Sequence, residues 1–351
     1  MRFFSNYPFF FRSGFSIGRK YLFLVFLFPI ISCTNLIKQK PVKFTGETQG
    51  TYYAITYFDE QHRDFQKDIE VLLANFDTIA SMWVDSSMLS KINRNEAIKV
   101  DDHFKELFAI SKHVYENTQG SFDPTVGPLV NVWGFGFTDR MHVDQKIVDS
   151  LLPLVGFDQV KIENDRVVKK DIRIQIDFNA IAQGYSVDLV ARFLQKKGIY
   201  SYMLDIGGEV MAHGRKPDGS PWKVGIEKPA DNAAYGQSLQ AIIRLNNKAL
   251  ATSGNYRKFY EENGVRYSHT IDPKTGYPVQ HAILSASVLA NDCATADAYA
   301  TAFMVMGFDN SIEILASDTS LEAYFIYSGT SDTLHSFITE GFKKIVLKEM
   351  K

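Results

Sequence analysis

The sequence predicts an α+β fold, with mixed or antiparallel sheets, packed helices, and a single domain of two lobes. Three observations lead there. Strand-like and helical stretches come in runs and do not alternate strictly, as a doubly wound sheet would require. No repeat, low-complexity tract or long linker divides the chain. The glycine-rich turns lack the G-x-G-x-x-G spacing of a dinucleotide fold.

Residues 1–32 read as an export signal. Arg2, Arg12, Arg19 and Lys20 make a positive leading region without an acidic residue, and Tyr21 to Ile31 is apolar. That stretch is shorter than the roughly 20 residues a spanning helix needs. It ends in Ile30-Ile31-Ser32-Cys33, which resembles the lipobox of bacterial lipoproteins and makes Cys33 the expected lipidation site. The expected product is a membrane lipoprotein facing the periplasm, with residues 33–48 as a tether and 49–351 as the folded body. Losing the four signal cations takes the formal charge from −2 to −6. No basic patch remains for nucleic acid. With Cys33 lipidated, Cys293 stands alone, so stability must come from the core and not from a disulfide.

Tyr52–Phe58 alternates as a strand. Phe65, Ile69, Leu72, Leu73, Phe76 and Ile79 recur at helical spacing, as do Phe104, Leu107, Phe108 and Val114. A Gly/Pro-punctuated loop spans Gln119 to Phe137. Strands are expected at Gln159–Ile162 and Ile172–Ile176, then a helix from Ala182 to Lys197 stopped by Gly198. Strand-like runs follow at Tyr202–Ile206, Glu209–Ala212, Trp222–Ile226, Leu239–Leu245, Ala249–Ser253 and Leu284–Leu289. A helix is expected from Ala294 to Met306, ending at Gly307. The tail adds strands at Leu321–Tyr327, Phe337–Thr339 and near Lys344–Leu347.

The Ala294 helix carries the plainest chemistry. Asp297 and Thr301, four residues apart, project from one stripe of a small, apolar element. A buried carboxylate needs a partner, and no Lys or Arg lies between Asp292 and Gly307. Two answers are open: a hard cation with oxygen ligands such as Mg²⁺, or a cap on a neighbouring loop with Thr301 bonded to its own helix. The loop Gly120 to Gly136 combines two prolines, four glycines and interleaved aromatics. It suits either a planar ligand near Asp123 or a self-packed surface loop. Asp177 to Gly184 joins a strand to a helix start, where Asp177 accepts from a ligand N–H or caps the turn. Asp205-Ile206-Gly207-Gly208 and Ser253-Gly254-Asn255-Tyr256-Arg257 are glycine turns after strands, with Arg257 as a candidate phosphate contact. His269 precedes a Pro/Gly turn and is a candidate acid/base. The eight histidines show no paired zinc spacing.

In this order, these segments resemble the ApbE family of FAD:protein FMN transferases. The likeness is carried by the Phe122-Asp123-Pro124-Thr125-Val126-Gly127-Pro128-Leu129-Val130-Asn131 loop, by Ser268 to Gly276, and by Ala296-Asp297-Ala298-Tyr299-Ala300-Thr301. It implies an ApbE-like, T-fold-related architecture and Mg²⁺-dependent cleavage of FAD, with FMN passed to a threonine of a target protein and AMP released. The implied metal ligands are Asp297, Thr301 and the Ala180 carbonyl. Gln49, Trp83, Ser121, Phe122, Asp123, Asp177, Gln183 and Ile271 are the implied FAD contacts, and His269 the base. The implied partners are acceptor flavoprotein subunits of respiratory or ion-translocating redox complexes. An FAD pyrophosphatase and a non-catalytic flavin-binding lipoprotein are the alternatives.

Overall fold

The computed structural model describes residues 39–136, 143–229, 238–255, 259–262, 265–329 and 333–350. β1 (Val42–Thr48) and β2 (Thr51–Tyr57) open the fold as a hairpin. Three helices follow: α1 (Gln66–Ala80), α2 (Met88–Asn93) and α3 (Asp102–Asn117). The short α4 (Gly127–Val132) and α5 (Gln145–Leu151) lead to the hairpin β3 (Val160–Glu163) and β4 (Arg166–Lys169), then to α6 (Ala182–Lys196). Next come β5 (Tyr202–Ile206), β6 (Glu209–His213), β7 (Trp222–Glu227), β8 (Leu239–Leu245) and β9 (Lys248–Gly254). β10 (Phe259–Glu262) and β11 (Val265–Ser268) precede β12 (Ile283–Ala290) and α7 (Cys293–Ser317). β13 (Glu322–Ser328), β14 (Leu334–Ile338), α8 (Glu340–Lys343) and β15 (Val346–Glu349) close the chain.

Eight strands form one sheet in the order β1-β2-β5-β6-β9-β12-β13-β14, and every neighbouring pair in it is antiparallel. A second sheet, β15-β8-β7, lies against part of it. In β13, Ala323 and Phe325 join the helix-side core while Tyr324 and Ile326 join the core of the small sheet. Its central strands are thus buried on both faces, which explains runs of continuous apolar residues where a half-exposed antiparallel strand would alternate. The α+β class read from the sequence holds.

Local differences have identifiable causes. The segment expected as tether already holds β1 from Val42, an edge strand whose side chains alternate between half-buried and exposed. Ile172–Ile176 is no strand; the partner of β3 is Arg166–Lys169. Ile174 and Ile176 are nevertheless fully buried. Their period-two pattern comes from an extended backbone held by a side chain. Asn93 Nδ2 donates to the Ile176 carbonyl and Asn93 Oδ1 accepts from the Ile176 N–H, both at 2.8 Å. The helix expected to stop at Gly307 does break there, at φ 76°, and helical turns then resume to Ser317. Glycine alone adopts that backbone readily. The tail strands sit a few residues from their expected positions, at Leu334–Ile338 and Val346–Glu349.

Candidate functional site

Two tight hairpins set the floor of the site. The β1–β2 turn is Gln49-Gly50 with φ of 51° and 72°, and the β5–β6 turn is Gly207-Gly208 with φ of 68° and 107°. Two-residue turns with both φ positive match the strand twist and favour Gly and Asn-like residues. β2 pairs antiparallel with β5, Tyr53 opposite Ile206, so both turns fall at the same sheet end. The Gly207 N–H donates to the Tyr52 carbonyl at 2.9 Å. Gln49 Nε2 donates to Ser186 Oγ at 2.7 Å, which ties the first turn to α6.

α6 and α7 cross above this end at very short range. A Cβ added to Gly184 would lie 2.4 Å from the Cys293 carbonyl oxygen and 2.8 Å from Asp297 Cβ. The crossing is locked electrostatically. Asp188 of α6 accepts from the Cys293 and Ala294 N–H groups at 2.8 and 2.9 Å, satisfying free donors at the start of α7. Asp292, the helix's own cap, accepts from the Thr295 N–H at 2.8 Å. Burial outweighs these bonds and pushes the Asp188 carboxyl up to about 7.

Within that crossing Asp297 is 7% exposed and accepts one backbone bond, from Gly184 N–H at 3.1 Å. Burial raises its carboxyl to about 7. Thr301 lies one turn on, its hydroxyl 3.1 Å from Ser253 Oγ at the end of β9. The hydroxyl therefore faces the sheet end and not its own helix. Gln183, in the first turn of α6, places its Nε2 within 2.8 Å of where a Gly207 Cβ would stand. Ala180 sits in the turn that feeds α6.

Asp177 begins that turn, half-buried, and its Oδ1 accepts from the Asn179 N–H at 2.7 Å. Burial moves its carboxyl upward. Its backbone N–H donates to the Pro124 carbonyl at 2.6 Å, which anchors the Gly/Pro loop beside α6. In that loop Ser121, Phe122 and Asp123 are all buried. Asp123 Oδ1 accepts from the Thr125 N–H and hydroxyl at 2.7 and 2.6 Å. Burial lifts the Asp123 carboxyl to about 6. Ile271 packs with Leu129 and Trp133, and Trp133 Nε1 donates to the Gly276 carbonyl at 2.8 Å. The loop and the His269 segment thus form one wall. His269 stands half-buried against the Phe135 ring, centroids 6.3 Å apart. Trp83, 66% exposed, lies on the turn before α2. Cys33, Tyr256 and Arg257 lie outside the described residues.

With this geometry in hand, comparison is direct. The ApbE family profile matches residues 49–325. The chain belongs to the ApbE family. A curated ApbE relative from Haemophilus influenzae, named FAD:protein FMN transferase, is 34% identical over 87% of this chain and 92% of its own length. Another of that name, from Vibrio cholerae, is 35% identical over 88% and 93%. The apo crystal structure of Pseudomonas stutzeri flavinyl transferase ApbE superposes with a TM-score of 0.80 at 31% identity, covering 89% of this chain and 98% of that one. These ApbE relatives are transferases by name, and the solved one shares the fold described above.

Within this ApbE chain, Asp297, Thr301, Gln183 and Gln49 are brought to one sheet end, while Asp177 stands against the Asp123 loop, which packs on the His269 segment. Among the described residues no three His, Cys, Asp or Glu side chains cluster as a metal-ligand group. A cation here would draw on one carboxylate plus neutral oxygens, and that donor set fits a hard divalent ion. The chemistry of Asp297 agrees, since a buried carboxylate with one described backbone donor keeps lone pairs to offer. Glu209 went unnoticed in the sequence. It is the first residue of β6, 7% exposed, and its Oε2 has no hydrogen-bond partner among the described residues. Its only sequence signal is its place directly after the Gly207-Gly208 turn.

Proposed function

We propose that this chain is a Mg²⁺-dependent FAD:protein FMN transferase. It cleaves the FAD pyrophosphate, joins FMN through a phosphoester to a threonine of a target flavoprotein, and releases AMP. The observation that carries this reading is the buried Asp297 at the α6–α7 crossing, one helical turn from a Thr301 hydroxyl that faces the same sheet end. Binding alone would leave such a carboxylate without purpose, and the names of the ApbE relatives supply the substrate class.

Asp297, Thr301 and the Ala180 carbonyl would hold Mg²⁺, which when bound neutralises pyrophosphate charge. The α6 start offers N–H groups to phosphate oxygens. The Gly/Pro loop and Trp83 line the flavin side, where aromatic faces suit a planar ring. His269 takes the proton from the acceptor threonine hydroxyl. That oxygen bonds to the FMN phosphorus, the bond from this phosphorus to the bridging oxygen breaks, and AMP departs with the bridge. Such transfer depends on positioning and charge neutralisation more than on covalent help. Cys33 would carry lipid and hold the enzyme on the periplasmic side of a bacterial membrane. The acceptors in this reading are subunits of respiratory or ion-translocating redox complexes.

The test incubates the protein with FAD, Mg²⁺ and a threonine-bearing acceptor domain, and follows acceptor mass and AMP. The expected result is an FMN-sized mass gain, abolished by EDTA and greatly weakened by Asp297→Ala. AMP and free FMN without labelling would replace the transferase by a hydrolase. FAD retained intact with no AMP would sink the enzymatic reading.

A further inference from the structure

Glu209 enters from the sheet side, opposite in chemistry to everything that usually keeps a carboxylate buried. Its Oε2 is enclosed and, among the described residues, has no hydrogen-bond donor. Among the described residues the charges acting on it are Asp297 of α7 and Asp205 of β5, both negative, and its own backbone N–H offsets them only in part. Burial and those neighbours push its carboxyl well above the usual range. A buried carboxylate left uncompensated is strongly unfavourable, because burial strips its hydration without returning an opposite charge. Native folds rarely keep such an orphan without a use.

The surroundings point to the use. A Cβ on Gly207 would lie 2.8 Å from Gln183 Nε2, 2.8 Å from Thr51 Cγ2 and 3.3 Å from Glu209 Oε2. The glycine turn thus lets the backbone come up between a candidate flavin contact and the orphan oxygen. Asp297 lies within electrostatic reach of Glu209, and it is bonded to the N–H of Gly184, the residue next to Gln183. Two buried carboxylates within electrostatic reach repel unless positive charge joins them. The oxygens able to receive that charge are already assembled on the Asp297–Thr301 stripe.

We propose that Glu209 is the second carboxylate of the cation cradle, a positioning residue that strengthens divalent-metal binding at Asp297 through its charge without ligating the ion. This rests on the cation site of the transferase reading and extends it to a residue on another element. The cradle would then carry two negative charges, which balance one divalent ion before the pyrophosphate arrives.

The experiment uses the full-length chain in detergent, stripped with EDTA and dialysed, and titrates Mg²⁺ alone by calorimetry. Glu209→Gln is expected to weaken Mg²⁺ binding by about 10-fold or more, the scale seen for residues behind metal ligands. Glu209→Asp, which keeps the charge, is expected to restore most of it. Melting temperature in EDTA separates charge from packing. Replacing this buried, poorly satisfied carboxyl by a neutral amide should leave the Gln variant as stable as wild type or more so, while its gain on adding Mg²⁺ shrinks. A Gln variant that binds Mg²⁺ as well as wild type overturns the role of Glu209. So does one that is destabilised equally with and without the ion. A wild type that takes up no Mg²⁺ overturns the cation site itself, and this proposal with it.

Discussion

Gly184→Ala probes how closely the two site-bearing helices must approach. In an unobstructed helix this change is favourable by about 1 kcal/mol, since glycine loses more backbone freedom on folding. At this crossing the new methyl would meet the Cys293 carbonyl oxygen at 2.4 Å, its carbon at 2.7 Å and Asp297 Cβ at 2.8 Å. Two of those three atoms are backbone, which no rotamer change can move. The helices must part, and overpacking of this kind costs about 1–3 kcal/mol. Parting also stretches the 3.1 Å bond from Gly184 N–H to Asp297, and a bond to a charged group contributes about 1.5–3 kcal/mol. Set against the gain in helix propensity, the net loss is about 2–4 kcal/mol. For a body of this size, with an unfolding entropy of about 0.6 kcal/mol/K, that corresponds to a melting temperature lower by about 3–6 °C. The assay is calorimetric unfolding at pH 8 with and without Mg²⁺, alongside a Mg²⁺ titration expected to weaken. A variant that melts at or above wild type and binds Mg²⁺ equally well would refute the argument that this contact sets the site.

Further outcomes follow from the same geometry. Asn93→Ala removes both bonds that hold Ile176 and leaves a buried N–H and carbonyl unmet, so stability should fall by about 2–3 kcal/mol; FAD affinity, read by fluorescence, should fall too because Asp177 comes next. Asp123, Asp188 and Asp297 bind protons more tightly folded than unfolded, at about 6, 7 and 7 against an ordinary 3.8. Their contribution is therefore complete below about pH 4 and lost as pH rises through 6 to 7. In EDTA the melting temperature should decline between pH 5 and 8, and Asp188→Asn should flatten the slope; a rise across that window contradicts the assignment. His269→Asn should cut acceptor labelling by about 10²–10⁴-fold while FAD retention in equilibrium dialysis stays near wild type.

What the sequence made legible was chemistry carried by local spacing. Asp297 and Thr301 share a stripe because helical periodicity says so, and Gly307 ends that stripe because only glycine takes its backbone angles readily. The hairpin turns at Gln49-Gly50 and Gly207-Gly208 could likewise be read from residue type. What remained hidden depends on pairing across long separations. Asp188 looks like any polar helix residue until α7 arrives with unpaired N–H groups. Asn93 imitates a strand partner, so Ile172–Ile176 reads as a strand that does not form. Glu209 is an unremarkable polar position until the order β5-β6-β9 encloses it. β1 reads as part of the tether because an edge strand leaves even its inward side chains half-buried, which weakens its alternation.

The α6–α7 crossing also orders events in the life of the chain. Gln49 and Thr51 come near the start of the folded body, Gln183 and Glu209 near its middle, and Asp297 and Thr301 toward its end. The β9–β12 ladder that supports Thr301 pairs residues about 250 and 290. Contacts of such separation form only after the intervening chain has been made and the loop entropy has been met. A chain shorter than about 300 residues has no Asp297 to set against Gly184 and no Thr301 to meet Ser253. The floor can be laid early, but Asp297 and Thr301 join it only late. In the transferase reading, flavin chemistry is thereby withheld from any chain that stops short of them.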